Sequence, residues 1–94
     1  MFIIQLDYTK PLEVVDQYLQ EHRDYLETCY QKNHLVVSGP RNPRTGGIII
    51  SQLKDREKVD ALIKADPFYI NDIAEFSVIE FSPVKYHKNF VEFV

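Results

Sequence analysis

Between Leu12 and Cys29 the side chains suited to a core recur at intervals of 3, 4, 3, 4 and 3, through Leu12, Val15, Leu19, His22, Leu26 and Cys29. That spacing is a single stripe along an α-helix. The other side of the same segment is polar, with Glu13, Asp16, Gln17, Gln20, Glu21, Asp24, Glu27 and Gln31. A helix with one apolar stripe needs a surface to cover, and the flanking residues supply one. From Phe2 to Tyr8 the even positions (Phe2, Ile4, Leu6, Tyr8) are apolar and the odd ones (Ile3, Gln5, Asp7) are mixed. This is the period-two pattern of a strand with one buried and one mixed face. Between them, Pro11 with Thr9 before it suits a helix start, and Glu13 and Asp16 fall in its first turns.

Beyond the helix, Asn33 offers a stop. His34–Gly39 and Gly47–Leu53 read as two strands joined through the turn-rich stretch from Pro40 to Gly46, a hairpin. Asp55 can cap a second helix whose stripe is Val59, Leu62 and Ile63. Asp66-Pro67 ends that helix, because proline disfavours helical geometry in the residue before it. Asp66 can equally N-cap a short turn that begins at Pro67. A last strand is expected from Ile73 to Phe81, closed by Ser82-Pro83. The order β-α-β-β-α-β predicts an α+β fold. It is the ferredoxin-like sandwich, an antiparallel four-stranded sheet with two helices on one face.

The face opposite the helices is expected to carry Ile3, Gln5, Val36, Ile49, Ile79 and Phe81, more apolar than a solvated surface. A second copy of the chain covering it, a homodimer through the sheet, is the expectation. The tail from Val84 to Val94 holds Tyr86, Phe90, Val91, Phe93 and Val94, too apolar for a disordered end.

Composition narrows the function classes. The 94 residues make one domain over 1–94, with a core to about residue 84 and an apolar tail over 85–94. One cysteine forms no internal disulfide. No apolar run approaches the roughly 20 residues of a membrane span. No signal-peptide pattern precedes the first strand, so the expectation is a soluble cytoplasmic domain without a membrane partner. A net charge of −3 without a basic block argues against nucleic acid.

His22 is the anomaly in the helical stripe. Imidazole is the side chain whose ordinary titration lies nearest neutrality, so a histidine at a sheet–helix cleft suits general acid–base chemistry. A core histidine bonded to a carbonyl or to a buried side chain is the structural alternative. The topology gathers Asp7, Tyr8, Ser38, Arg41, Arg44 and Asp66 at one end of the fold. There the arginines can hold an anion and Ser38 can donate or accept a hydrogen bond. Spacing alone does not pair His22 with Asp66, since His22 lies roughly 15 Å from the helix start by the helical rise. His34 and His87 are isolated, no ligand spacing marks a metal site, and no cofactor motif is present. Cys29, on the buried stripe, reads as structural.

The segments "YTKPLEVVD" (Tyr8 to Asp16), "SGPRNPRTGGIII" (Ser38 to Ile50), "DPF" (Asp66 to Phe68) and "EFSP" (Glu80 to Pro83), together with His22, resemble the YciI-like (YCII-related) family. The resemblance extends to about Val84. It implies a ferredoxin-like fold of the dimeric α/β-barrel type, with two sheets packed face to face. It also implies a cleft with a histidine–aspartate dyad, here His22 and Asp66, and Ser38 at the cleft rim. Some family members carry a basic residue three positions before the histidine, where this chain has Leu19. A family relative in chlorinated-aromatic breakdown is a dehydrochlorinase, and most members have no assigned reaction.

Two functions compete at this stage. One is a cofactor-free enzyme of lyase, isomerase or hydrolase type. It would use His22 and Asp66 on a small anionic organic molecule held by Tyr8, Ser38, Arg41 and Arg44. The other is a non-catalytic module that binds a small molecule or assembles through the dimer. An open pocket at a His22–Asp66 contact favours the first; a filled core around His22 favours the second.

Overall fold

Strand β1 (Phe2–Tyr8) lies inside a four-stranded antiparallel sheet, with β3 (Gly46–Ser51) on one side and β4 (Ala74–Glu80) on the other; β2 (Leu35–Pro40) extends the sheet beyond β3. The computed structural model describes residues 1–94. Helix α1 (Leu12–Gln31) connects β1 to β2, and helices α2 (Arg56–Lys64) and α3 (Pro67–Ile70) connect β3 to β4. The spatial order β2-β3-β1-β4 is the ferredoxin-like arrangement expected from the sequence. Strand ends differ from the expected ones by one or two residues, as pairing rather than residue type sets them.

The core follows the predicted periodicities. Phe2, Ile4 and Leu6 of β1 are buried beside Val15, Leu26 and Cys29 of α1 and Val59, Leu62 and Ile63 of α2. His22 is buried with its stripe, whereas Leu12, the first residue of α1, is exposed. Helix α1 ends where predicted. Asn33 takes a positive φ of 60° and the His34 N–H reaches back to the Cys29 carbonyl at 3.0 Å. Asp55 caps α2 by accepting from the Glu57 N–H at 2.9 Å. No helix is long and apolar enough to cross a membrane.

The open sheet face is corrected in detail. Ile49 is buried on the helix side, and Val36 falls at a register shift between β2 and β3. One extra residue there reverses the faces of the positions around it. The open face instead carries the cross-strand row Val37, Ile50, Ile3 and Ile79, whose members are paired in register. Gln5, paired with Ile48 and Ser77, stands in the next row. The tail is a short 3₁₀ helix (Lys88–Phe93) with no buried residue.

One close approach fixes the hairpin base. A Cβ added at Gly46 would run into the Leu6 carbonyl oxygen and the Arg41 guanidinium. Only glycine allows Arg41 to lie over this strand.

Helices α1 and α2 are tied by the Tyr25 hydroxyl, which donates to the Leu62 carbonyl at 2.6 Å. Burial first, and then the neighbouring Cys29 and the Asp66 carboxylate, raise the Tyr25 pKa far above that of a free phenol. The folded chain therefore keeps this proton at pH values where the unfolded chain releases it. The resulting stability is complete below the ordinary tyrosine value of about 10 and is lost as pH rises above it. In denaturant titrations Tyr25→Phe should cost about 1 kcal/mol at neutral pH, the usual worth of one hydrogen bond. The gap to wild type should shrink above about pH 10. A constant gap across that range would contradict this assignment.

Candidate active site

The site is built around the break between α2 and α3. Asp66 leaves α2 in an extended conformation (φ −72°, ψ 129°), and Pro67 opens α3 with a φ suited to a first turn. Asp66 Oδ1 accepts the Phe68 N–H at 2.9 Å, the N-cap bond expected from the sequence. The same oxygen lies 2.8 Å from His22 Nδ1, across from α1. The helix-cap and dyad readings of Asp66 thus describe a single oxygen atom serving both partners.

This geometry sets the tautomer of the neutral imidazole. A carboxylate oxygen accepts, so the proton in the contact is on Nδ1, and the neutral ring keeps its lone pair on Nε2. Nε2 has no partner within the chain. The His22 side chain keeps 11% exposure while that of Asp66 has none. Phe68 stacks on the His22 ring with centroids 4.0 Å apart and planes within 4°, which fixes the ring's orientation. Tyr8 meets Phe68 edge-on at 6.1 Å, and the Arg44 guanidinium lies over the Tyr8 ring at 5.9 Å. Asp16 anchors Arg44 at 2.6 Å and raises its already high pKa further. A continuous set of contacts therefore runs from Asp16 through Arg44, Tyr8, Phe68 and His22 to Asp66.

Asp66 Oδ2 is buried with no hydrogen-bond partner in the chain. A carboxylate oxygen removed from water is costly unless a partner takes the place of that hydration.

His22 opens onto a cavity of about 230 Å³. Leu6, Leu19, Leu26, Ile49 and Phe68 form apolar walls, and Tyr8, Ser38, Arg23 and Arg44 contribute polar groups. No aspartate or glutamate is among its lining residues. Ser38 exchanges a 2.6 Å hydrogen bond with the Tyr30 hydroxyl of α1, which fixes its position on the wall.

Of the residues anticipated from sequence, the fold brings His22, Tyr8, Ser38 and Arg44 to one cavity, with Asp66 directly behind the imidazole. Arg41 is placed elsewhere. It bonds to Asp7 at 2.6 Å and to Thr45 at 3.2 Å, bracing the hairpin base outside the cavity lining. Sequence reasoning did not assign Arg23 or a stacking role to Phe68. The available signals were adjacency, since Arg23 follows His22 and Phe68 lies two residues after Asp66.

The model of the YCII-related domain family matches residues 1–82, and the chain belongs to that family. Among solved structures it is similar to 5-chloro-2-hydroxyhydroquinone dehydrochlorinase (TftG) from Burkholderia phenoliruptrix AC1100, in complex with 2,5-dihydroxybenzoquinone. The TM-score is 0.72 at 21% sequence identity, over 87% of this chain and 94% of that one. At this identity the likeness shows the shared ferredoxin-like fold. No curated protein matches the sequence.

Replacing Asp66 tests the double role of its oxygen. Asp66→Ala removes a helix cap and a charge-assisted bond, and should destabilise the chain by about 2 kcal/mol or more. In ¹⁵N NMR of the neutral ring, wild-type His22 should carry its proton on Nδ1. Asp66→Ala should move it toward Nε2, the form a free imidazole favours. An Nε2–H ring in the wild type would contradict the assigned contact.

Proposed function

We propose that this chain is a cofactor-free acid–base enzyme in which His22 moves a proton on a small anionic, single-ring organic molecule. The observation that carries this reading is the division of labour on the imidazole. Nδ1 is held by a fully buried carboxylate while Nε2 faces an open cavity. A filled core around His22 would have favoured the non-catalytic module.

The chemistry follows from the residues. With Nδ1 bonded to Asp66, Nε2 is the base that takes a proton from the bound molecule, and Asp66 stabilises the imidazolium that forms. The Asp66 carboxylate bonds only the histidine and the Phe68 N–H and does not line the cavity, so it is a positioning residue. Negative charge left on the substrate faces Arg23 and Arg44 with no opposing carboxylate on the wall. Ser38 supplies a hydrogen bond to a substrate oxygen. Loss of a leaving group from the deprotonated molecule would be a lyase reaction, and return of the proton to another atom an isomerisation.

Size supports one ring. A cavity of roughly 150 Å³ accepts benzene, so the 230 Å³ here accommodates a ring with a few substituents. The solved dehydrochlorinase of the same fold holds a dihydroxybenzoquinone, a molecule of that size class. The reading includes a homodimer through the open sheet face, supported by the row Val37, Ile50, Ile3 and Ile79.

The test is a turnover screen over hydroxylated and halogenated single-ring acids and phenols, using wild type and His22→Ala. The variant should lose activity by a factor of about 10² to 10⁴, the usual contribution of one general acid–base group. Its stability should stay within about 2 kcal/mol of wild type. A folded His22→Ala protein with wild-type turnover would overturn the mechanism.

A further inference from the structure

The two cations on the cavity wall are not equivalent. Arg44 reaches the wall from the β2–β3 connection, with its Nη2 donating to Asp16 Oδ1 at 2.6 Å and its guanidinium over the Tyr8 ring. A guanidinium in contact with a carboxylate acts on a third charge as a dipole rather than as a full positive charge. Its pull on a ligand therefore falls off faster with distance. Asp16 itself stands on α1, outside the cavity lining.

Arg23 has no such counter-charge. Leu19, Arg23 and Leu26, spaced four and three residues apart, form one row of α1 along the cavity wall, beside His22. No carboxylate lies within ion-pair distance of Arg23. The acids that follow it on the helix have other partners: Asp24 accepts from Gln20 at 2.8 Å and Glu27 from Gln31 at 3.5 Å. Glu27 comes four residues after Arg23, the weaker order for an ion pair on a helix. One full positive charge on the wall thus stands uncompensated, next in sequence to the residue that carries the base.

We propose that the site is set for a singly charged molecule, with Arg23 binding its one anionic group and Asp16, by occupying Arg44, withholding a full counter-charge from a second. This inference rests on the proposed function and narrows its substrate class to monoanions, such as a ring that bears one carboxylate. Asp16 touches no ligand in this scheme. It is a positioning residue that acts through Arg44 and sets how many charges the cavity accepts.

The experiment titrates three single-ring probes into wild type, Arg23→Gln and Asp16→Asn. The probes are benzoate, benzene-1,2-dicarboxylate and benzamide, at a pH where both carboxyl groups of the dicarboxylate are ionised. Asparagine at 16 can still accept from Arg44, so that variant removes the charge and keeps the bond. Affinities come from ¹⁵N NMR, which also follows the Nε–H signals of Arg23 and Arg44, and circular dichroism checks that each variant is folded.

Wild type should bind benzoate at least about tenfold more tightly than benzamide, and the dicarboxylate no more tightly than benzoate. Benzoate should move the Arg23 signal and leave that of Arg44 in place. Arg23→Gln should weaken benzoate by a factor of about ten to a hundred, the worth of one charge-assisted hydrogen bond, and leave benzamide unchanged. Asp16→Asn should tighten the dicarboxylate relative to benzoate by roughly threefold or more. A wild type that prefers the dicarboxylate would overturn the monoanion assignment. A benzoate preference that survives Arg23→Gln would overturn Arg23 as the anchor, and unchanged affinities in Asp16→Asn would overturn the role of Asp16. Wild type that binds none of the probes would overturn the whole inference. In each of these cases, turnover that is lost in His22→Ala would leave the acid–base reading standing, so the two failures are distinguishable.

Discussion

One oxygen atom, Asp66 Oδ1, connects the two halves of this molecule. It caps α3 through the Phe68 N–H and orients His22 on α1. The first bond places Phe68 where its ring can stack on the imidazole, and the second fixes which nitrogen of that imidazole faces the cavity. The local rule that aspartate before proline makes a good helix cap and the carboxylate contact that fixes the His22 ring are met by the same atom. Moving the α2–α3 break by a single residue would disturb both.

The fold explains why such a site is available in so short a chain. A single layer of helices covers one face of the sheet, and the helix stripe that fills the core near Val15, Leu26 and Cys29 opens at Leu19 and His22. Beside it, the sheet contributes the small surfaces of Ser38, Gly39 and Gly47, and the cavity forms where large side chains are missing. The cations sit at its polar lining: Arg44 held by Asp16 over the Tyr8 ring, and Arg23 with no ion pair. Under the proposed function, a cavity lined by leucines and a stacked phenylalanine, with cations and no carboxylate among its lining residues, would take a flat molecule with negative charge.

Much of this was legible in the residues. The change from period two to period 3.6 and back gave the element order, and the stripes Val15–Leu26–Cys29 and Val59–Leu62–Ile63 both became core. The cap at Asp66 was readable because capping is local. The His22–Asp66 distance was not, since it depends on how α1 tilts across the sheet, which spacing along one chain does not encode. The open face was misassigned at Val36 because of the one-residue register shift in β2, which nothing in Leu35-Val36-Val37 announces, and at Ile49 because Ile48-Ile49-Ile50 is apolar on both faces and only its pairing with the buried Ile4 shows which side it takes. Arg41 and Arg44 looked alike in a loop. Their separation follows from three-dimensional facts, the bare Cα of Gly46 under Arg41 and the nearness of Asp16 to Arg44.

The proposed chemistry requires the imidazole to meet a ligand through Nε2, with Asp66 behind it. Its most direct test is an NMR titration with a hydroxylated benzoquinone, following the ring resonances of His22, Phe68 and Tyr8. Saturable shifts at all three rings, with the Nδ1 proton of His22 retained in the bound form, are the predicted result. Binding that leaves the His22 and Phe68 rings unperturbed would contradict the account.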